Sequence, residues 1–501
     1  MELRELSELR QDAADLAREE ARGAFRNAAG LPLETAVSER VKAHRLASSR
    51  DGLAQVCETL AAVEGDPARA GRAARLSALR AFLARAVARG LDPGAAQELV
   101  EFGRRPSVRP PGDAGLHGAL PPVSVDRELP SLRERQRRGE LEHALADALP
   151  SAQPARSAAW EAAQAALAEL RLGDPGQAAS ALQSRGWSEA NEPSAAEAAV
   201  RAAAERVLVG TEALATDLYA WLLERHSGAR PFPGGAERHD SLFLQHAPRC
   251  ASAFPRGEQQ RTCRRWAEML RLDLNAGGAI RLDDDERPLK RGGAHAIALD
   301  PPDEVRISLW PAEGPRALSD LLGALGEAQL FAGPPGDAPP EDLWFCDEAL
   351  PFASRELFAG LARDPGFLRR CAKADLARDD ERAIAISAAI DARLAAARTL
   401  ASLEAHAVGF GARAEQAYRE LFTRATLTEL PAGLALRELD PFLGSWARLR
   451  GLAFAARARA SLRERFDEDF WRNPRALAVV RGLWSRGGRP TLRELWSELS
   501  V

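Results

Sequence analysis

Apolar residues recur at helical spacing along almost the whole chain, and this periodicity constrains the fold more than any other feature. Leu76, Leu79 and Leu83, for example, mark one face of a helix. The pattern changes at 278–311, where short alternation, β-branched residues and proline turns predict a small β-sheet. Helical spacing returns from residue 315 and continues toward the end of the chain. The sequence therefore predicts a mainly α-helical protein with one small sheet.

Breaks in this pattern predict how the chain is divided. Residues 1–103 are expected to form an N-terminal helical region. Residues 104–130 are the stretch richest in proline and glycine, which predicts a linker or a long exposed loop. Residues 131–501 are expected to form the main helical domain, with its sheet at 278–311.

The charge and the cysteines limit the classes of function. A formal net charge of -4 provides no basic field for a phosphate backbone, so no nucleic-acid partner is expected. The charged N-terminus lacks the apolar core of a signal peptide, and no stretch approaches a membrane span, so no membrane partner is expected. The five cysteines are widely spaced without a CxxC pair, which is typical of a reducing compartment. We expect a cytoplasmic, soluble protein.

Short blocks of residues from about 205 to 501 keep the order and approximate spacing of a known family. The most specific of them lie near the end of the chain: Asp440-Pro441, Leu449-Arg450, Arg465-Phe466, Trp471, Asn473-Pro474 and Leu483-Trp484. The ordered set resembles the zinc oligopeptidase superfamily, which includes oligoendopeptidase F and thimet oligopeptidase, and especially its bacterial members of about this length. The resemblance implies a two-lobed helical fold with a central cleft and a small β-sheet.

The resemblance also shows where the family's catalytic residues would fall. In these enzymes two histidines four residues apart bind zinc, a glutamate after the first histidine is the general base, and a second helix supplies a glutamate ligand. On the matching helix, 318–331, these positions hold Gly323, Ala324 and Glu327, and on the second helix, 347–361, the ligand position holds Phe352. One carboxylate cannot replace two imidazoles and a carboxylate. We therefore expect no metal and no cofactor.

The first functional hypothesis is a catalytically inactive pseudo-metallopeptidase, and so a protein that is not an enzyme. A peptide or protein segment would bind in its cleft, or the protein would be an assembly scaffold. A strand edge in 283–311 offers backbone pairing to an extended peptide. Four basic residues are the candidates for binding a carboxylate: Lys290, Arg291, Arg448 and Arg450.

Two alternatives stay open on the sequence. One is an active hydrolase or peptidase with a relocated site, built from residues such as Glu327, Glu348, His295 or Cys346. The other is a structural paralogue whose cleft is filled by side chains such as Phe352. The oligomeric state and the identity of any partner are also open.

Two further polar clusters are interpreted without a metal. His239 and His246 are two helical turns apart, too far to share one ion on a straight helix, so capping or core hydrogen bonding is the preferred interpretation. The acidic run 283–286 lacks the spacing and internal glycine of a calcium loop. It is interpreted as a charged turn.

Overall fold

The computed structural model of this chain describes residues 2–111, 118–184 and 193–499. Helices dominate the first described ranges: α1 (Glu2–Ala28), α2 (Val37–Ala43), α3 (Arg50–Ala61), α4 (Ala70–Leu91), α5 (Pro93–Arg104), α6 (Pro122–Glu128), α7 (Arg135–Ala148), α8 (Gln153–Ala168) and α9 (Pro175–Gln183). The middle of the chain adds α10 (Pro193–Gly210), α11 (Glu212–Leu214), α12 (Ala220–Ser227), α13 (Arg238–His246) and α14 (Glu258–Leu270). Several of these helices begin with proline in the first turn, where its missing N–H is not needed.

Three strands follow: β1 (Ile280–Asp283), β2 (Ala294–Asp300) and β3 (Glu304–Leu309). The sheet order is β1-β3-β2. β1 is parallel to β3, with Ile280 opposite Val305, and β2 is antiparallel to β3, with Ala296 opposite Ile307. β2 therefore lies at one edge of the sheet.

The rest of the chain is helical again: α15 (Pro315–Ala332), α16 (Pro340–Leu343), α17 (Ala349–Ala359), α18 (Pro365–Phe367), α19 (Arg378–Val408), α20 (Ala412–Thr426), α21 (Gly444–Phe466), α22 (Pro474–Trp484) and α23 (Leu492–Leu499). The predicted mainly helical fold with a small sheet is confirmed. Among the described residues, no helix combines the length and the apolar character needed to cross a membrane.

Two apolar cores support the molecule. One combines the helices before residue 224 with α19, α20 and the start of α21, and it includes Leu79, Tyr219 and Trp446. The other combines α14, the sheet, α15, α17, α22 and most of α21, and it includes Trp266, Ile307 and Phe358. Because α21 contributes to both cores, it joins the two halves of the fold.

The end of α1 docks against the loop before β2. Gly30 has a positive φ of 71°, and a Cβ atom there would lie 2.5 Å from the backbone nitrogen of Lys290, so this close approach requires glycine. The Arg291 amide donates a hydrogen bond to the Ala28 carbonyl at 3.0 Å. The N-terminal helices therefore pack directly on the predicted main domain. The predicted division at 104–130 stays a prediction, and residues 112–117 of that stretch lie outside the described residues.

Candidate functional site

Three adjoining cavities run along one face of α15. Their volumes are about 350, 510 and 420 Å³ in the order in which α15 passes them. The first two share Arg291, His295 and Arg316 among other residues, and the last two share Glu327 and Phe352. We call the three together the chamber.

The sequence of α15 explains why this face is polar while the helix is otherwise apolar. Six of its residues line the chamber: Ala317, Ser319 and the four with the largest side chains, which are Arg316, Asp320, Glu327 and Phe331. Their spacing of four, seven and four residues keeps them within one narrow stripe of an α-helix, while leucines on other faces enter the core. Because α-helices rise 1.5 Å per residue, the stripe is about 22 Å long. That length accommodates an extended peptide of roughly six residues.

The opposite walls come from β2 and α1. His295, Ala296 and Ile297 are consecutive residues of the edge strand, and all three line the middle cavity. Ala24 and Ala28 of α1 lie on the same cavity. The chamber is thus enclosed by elements that are more than 250 residues apart in the chain.

The four positions that the resemblance identified lie where α15 contacts α17. A Cβ atom on Gly323 would lie 2.9 Å from Cγ of Arg355, so the space that a larger residue would need is already occupied. Ala324 is completely buried, whereas Glu327 and Phe352 line the chamber. The side chains of Ala324 and Phe352 contain no atom that can bind a metal ion, and Gly323 has no side chain. The set does not fit a zinc ion, which needs several imidazole, thiolate or carboxylate ligands.

The guanidinium of Arg355 is the central cation of this region. It donates to Glu327 Oε2 at 3.2 Å and to the carbonyl of Ala294 at 3.0 Å, and it lies 3.8 Å from Asp320. Burial raises the pKa of Glu327, and Arg355 opposes this increase without cancelling it. Glu327 is therefore a carboxyl group that can exchange a proton nearer to neutral pH than an ordinary glutamate.

A second ion network crosses the chamber wall. Arg316 pairs with Asp320 at 3.1 Å and with Asp391 at 3.3 Å, and Arg448 pairs with Asp391 at 3.4 Å. Burial alone would raise the pKa of Asp391, but the two arginines outweigh it and hold that pKa below its ordinary value. Arg448 therefore lines the chamber, and the carboxylate of Asp391 balances part of its positive charge.

The other three candidate binding residues have different surroundings. Arg291 lines the chamber and makes no side-chain hydrogen bond or ion pair with the described residues. Lys290 is completely buried and donates to the carbonyls of Asp283 and Asp285, both at 2.8 Å. Arg450 is 1% exposed and makes a bidentate pair with Asp347 at 2.8 and 2.9 Å. A role of any of them in ligand binding stays a prediction.

The residues of the relocated-site alternative all lie on the chamber. Glu348 and Cys346 line the last cavity, and His295 lines the first two. Burial raises the pKa of Glu348, which pairs with Arg85 at 2.6 Å. Burial and nearby arginines lower the pKa of His295 to about 4, and its Nε2 lies 2.8 Å from the Gly292 carbonyl. The imidazole is therefore neutral at pH 7.

Sequence reasoning missed one group of potential metal ligands. Within the described residues, Glu142, Glu237 and His239 have donor atoms that all lie within 4.8 Å of one another. They come from α7 and from the start of α13. The sequence carries no signal for them, since almost a hundred residues separate Glu142 from its neighbours and no spacing rule connects them.

Comparison with known proteins gives a likeness in structure alone. No family model matches the chain, and no curated protein matches it. A structure described as an M32 carboxypeptidase from Deinococcus radiodurans is 14% identical, with 99% of this chain and 94% of that chain covered and a TM-score of 0.56. One described as an oligoendopeptidase F from Bacillus anthracis is 13% identical, with 92% and 81% covered and a TM-score of 0.57.

A further structure, also described as an oligoendopeptidase F, is 12% identical, with 99% of this chain and 92% of that chain covered and a TM-score of 0.63. The predicted zinc-oligopeptidase-like fold is confirmed. The prediction that the chain is not an enzyme is wrong as it stood, because the structures that share its fold are peptidases.

Proposed function

We propose that this chain is a peptidase-type hydrolase that binds an extended peptide in the chamber and cleaves it with carboxyl chemistry centred on Glu327. The observation that carries the proposal is the position of Glu327. It lies where two cavities meet, and its pKa is raised by burial. The peptidases that share the fold support the reaction class.

The shape and charge of the chamber support a peptide as substrate. The free edge of β2 offers backbone hydrogen bonds to an extended chain. Arg291 brings a positive charge that the described residues leave without an ion pair, which suits a carboxylate of the peptide. The roughly 22 Å stripe on α15 provides the length.

The proposed reaction needs one proton acceptor and one cation. Ionised Glu327 takes a proton from water while the water oxygen bonds to the carbonyl carbon of the peptide. Arg355 stabilises the negative charge that develops on the carbonyl oxygen. Protonated Glu327 then gives its proton to the amide nitrogen as the carbon–nitrogen bond breaks. The products are a carboxylic acid and an amine, and Glu327 is restored.

Glu327 is preferred to Glu348 as the acceptor. Glu348 is held by Arg85 at 2.6 Å and by Gln183 at 3.0 Å, whereas Arg355 is the one side-chain partner of Glu327 in the described part of the chain. Glu327 also lies inside the stripe rather than at its end, 11 residues after Arg316 and four before Phe331, so a peptide can extend from it in both directions.

The test is a cleavage assay on the purified full chain after treatment with a chelator. A mixture of synthetic peptides is incubated with the protein and the products are identified by mass spectrometry. We expect cleavage, and we expect Glu327→Gln to lower kcat by about 100-fold or more with little change in KM. Glu268→Gln, an exposed carboxylate on α14, is the control and keeps full activity. An absence of products, or equal activity of Glu327→Gln, would overturn the proposal. Cleavage that appears only after zinc is added would overturn the carboxyl mechanism.

A further inference from the structure

A separate cluster of titratable side chains lies outside the chamber, between α7 and the start of α13. Glu142 and His143 are neighbours on α7, Glu237 immediately precedes α13, and His239 is in its first turn. None of them lines the three cavities of the chamber. The cluster therefore has no part in the proposed hydrolysis.

Two imidazole nitrogens face one carboxylate oxygen in this cluster. His143 Nε2 lies 3.4 Å from Glu237 Oε2, and His239 Nε2 lies 3.6 Å from the same oxygen. Glu237 Oε2 is buried, and it accepts no hydrogen bond from the described residues. His239 is only 2% exposed, and its Nδ1 makes no hydrogen bond of normal geometry with the described residues. A buried carboxylate oxygen without a donor is costly unless a cation is bound to it.

The second nitrogen of the His143 ring indicates where its proton is. His143 Nδ1 lies 2.9 Å from the Gly139 carbonyl, which can only accept, so the proton is on Nδ1 and Nε2 presents a lone pair toward Glu237. An imidazole whose Nδ1 is fixed by a carbonyl is the usual arrangement of a histidine metal ligand. His239 Nδ1 lies 3.3 Å from Asp240 Oδ1 without a hydrogen bond of normal geometry, while its Nε2 lies on the side of Glu237.

The separations match the edges of a small tetrahedral site. Bonds of 2.0–2.1 Å to a tetrahedral zinc ion place two ligand atoms about 3.4 Å apart. The observed separations from Glu237 Oε2 are 3.4 and 3.6 Å. Glu142, Glu237 and His239 form a group whose donor atoms lie within 4.8 Å of one another, and His143 is next to this group through Glu237. Glu142 adds a second negative charge, and its oxygens accept from Arg238 at 2.8 Å and from the His239 amide at 3.1 Å.

We propose that Glu142, Glu237 and His239 bind one zinc-class divalent cation that ties α7 to the N-terminus of α13, and that the exposed ring of His143 turns onto the same ion from its position beside Glu237. Imidazole ligands favour zinc or a similar transition metal over magnesium or calcium, which prefer oxygen alone. The positive charge of Arg238 does not exclude the ion, because this guanidinium is already paired with Glu142 at 2.8 Å and Glu438 at 3.4 Å. His143 is 55% exposed, which gives the ion a path to the site.

The test is titration of the chelator-treated full chain with Zn²⁺ by isothermal calorimetry, with Mg²⁺ and Ca²⁺ in parallel. We expect one zinc ion per chain with a micromolar or lower Kd and no binding of the other two ions. Zinc at 100 μM raises the Tm. Co²⁺ in place of zinc gives the visible absorption bands of a tetrahedral site.

Two variants define the ligands. His143→Ala removes an exposed side chain, so the variant folds, and it should weaken zinc binding at least tenfold; Glu237→Gln should do the same. His226→Ala on α12 and Glu134→Gln beside α7 are matched controls that keep the parent Kd. No binding at 100 μM Zn²⁺, or an unchanged Kd in His143→Ala and Glu237→Gln, would overturn the proposal. Because the peptidase assay is done in chelator, its result is independent of this one.

Discussion

At the scale of single residues, the chamber depends on the pair formed by Glu327 and Arg355. Burial favours the neutral form of Glu327, while the guanidinium 3.2 Å away favours the ionised form. The proposed base must be ionised to accept a proton. The pH dependence of the reaction therefore reports on this pair.

We predict that kcat/KM falls on the acid side with a midpoint above 4.5, the ordinary pKa of glutamate, because burial raises the pKa of Glu327. Arg355→Met removes the cation that favours ionisation. It should move this midpoint farther upward and lower the maximum rate. The measurement is a pH profile of peptide cleavage. Arg486→Met, far along the chain in an exposed pair with Glu498, is the control. An unmoved midpoint in Arg355→Met would contradict the assignment.

Arg450 allows a second residue-scale prediction. Its guanidinium is buried with the Asp347 carboxylate, so removing one partner leaves the other charge uncompensated. Arg450→Met should lower the free energy of unfolding by about 3–5 kcal/mol. The same change at Arg486, whose partner is 50% exposed, should cost at most about 1 kcal/mol. Urea denaturation of both variants checks this, and equal stabilities would show that the buried pair contributes nothing.

The basic residues also show what the sequence could not determine. Lys290 and Arg291 are adjacent, yet one is enclosed by backbone carbonyls and the other extends into the chamber. Arg450 meets a carboxylate 103 residues away. Composition and spacing identify a cation, but the partner that neutralises it depends on contacts between distant segments. Only the structure separates Lys290 and Arg450, which have close partners, from Arg291, which forms no ion pair with the residues that the structure describes.

At the scale of elements, α15, α17 and α21 pack closely because glycines lie where they touch. A Cβ atom on Gly326 of α15 would lie 2.6 Å from the Phe358 ring and 2.7 Å from the Ser354 carbonyl oxygen. A Cβ atom on Gly451 of α21 would lie 2.6 Å from Cβ of Phe352. Backbone atoms cannot move aside as side chains can, so these contacts set the separation of the helices and the width of the chamber.

We predict opposite effects of one substitution at two helical glycines. Gly326→Ala should destabilise the fold by about 1–3 kcal/mol, because the added methyl group meets a fixed carbonyl. Gly482→Ala on α22 has open space around it and should stabilise the fold by about 0.5–1 kcal/mol through helix propensity. Chemical denaturation of both variants is the measurement. If Gly326→Ala instead stabilised the fold, α15 and α17 would have room for a methyl group between them, which contradicts the prediction.

Long periodic elements are what the sequence predicts best. The matching helix was expected at 318–331 and is found at Pro315–Ala332, and the second was expected at 347–361 and is found at Ala349–Ala359. Helical spacing between residues 194 and 227 looks continuous, yet α10 ends at Gly210. Near this end of α10, the buried guanidinium of Arg393 donates a hydrogen bond to the Leu208 carbonyl at 2.8 Å. A contact from 185 residues away cannot be read from local periodicity.

At the scale of the whole molecule, the chamber is made by docking the N-terminal helices onto the rest of the chain. Ala24 and Ala28 of α1 face residues of α15 and β2 across the middle cavity. In sequence, the first 200 residues match the family pattern only in being helical, so no motif indicates that they complete the site. Their small side chains leave the volume in which a peptide is proposed to bind.

Two histidines that line the chamber, His246 and His295, give the whole molecule a pH-dependent stability. Burial, with smaller effects of nearby arginines, lowers the pKa of His246 and of His295 to about 4. In the unfolded chain both have the ordinary value of 6.5. Between these values the unfolded chain binds more protons than the folded protein, so protonation favours unfolding. Their contribution is complete above pH 6.5 and is lost as the pH falls toward 4.

We predict that the free energy of unfolding decreases from pH 6.5 to 4.5, by at most about 3 kcal/mol for each histidine. The carboxylates Asp240 and Glu438 keep a pKa of about 2, because their ion pairs outweigh the effect of burial, so they affect stability only below about pH 4. The two ranges can therefore be separated by urea denaturation at closely spaced pH values. The double variant His246→Gln/His295→Gln should flatten the curve above pH 4.5 and leave the loss at lower pH unchanged. A parent protein equally stable at pH 6.5 and 4.5 would show that the chamber admits water to both rings.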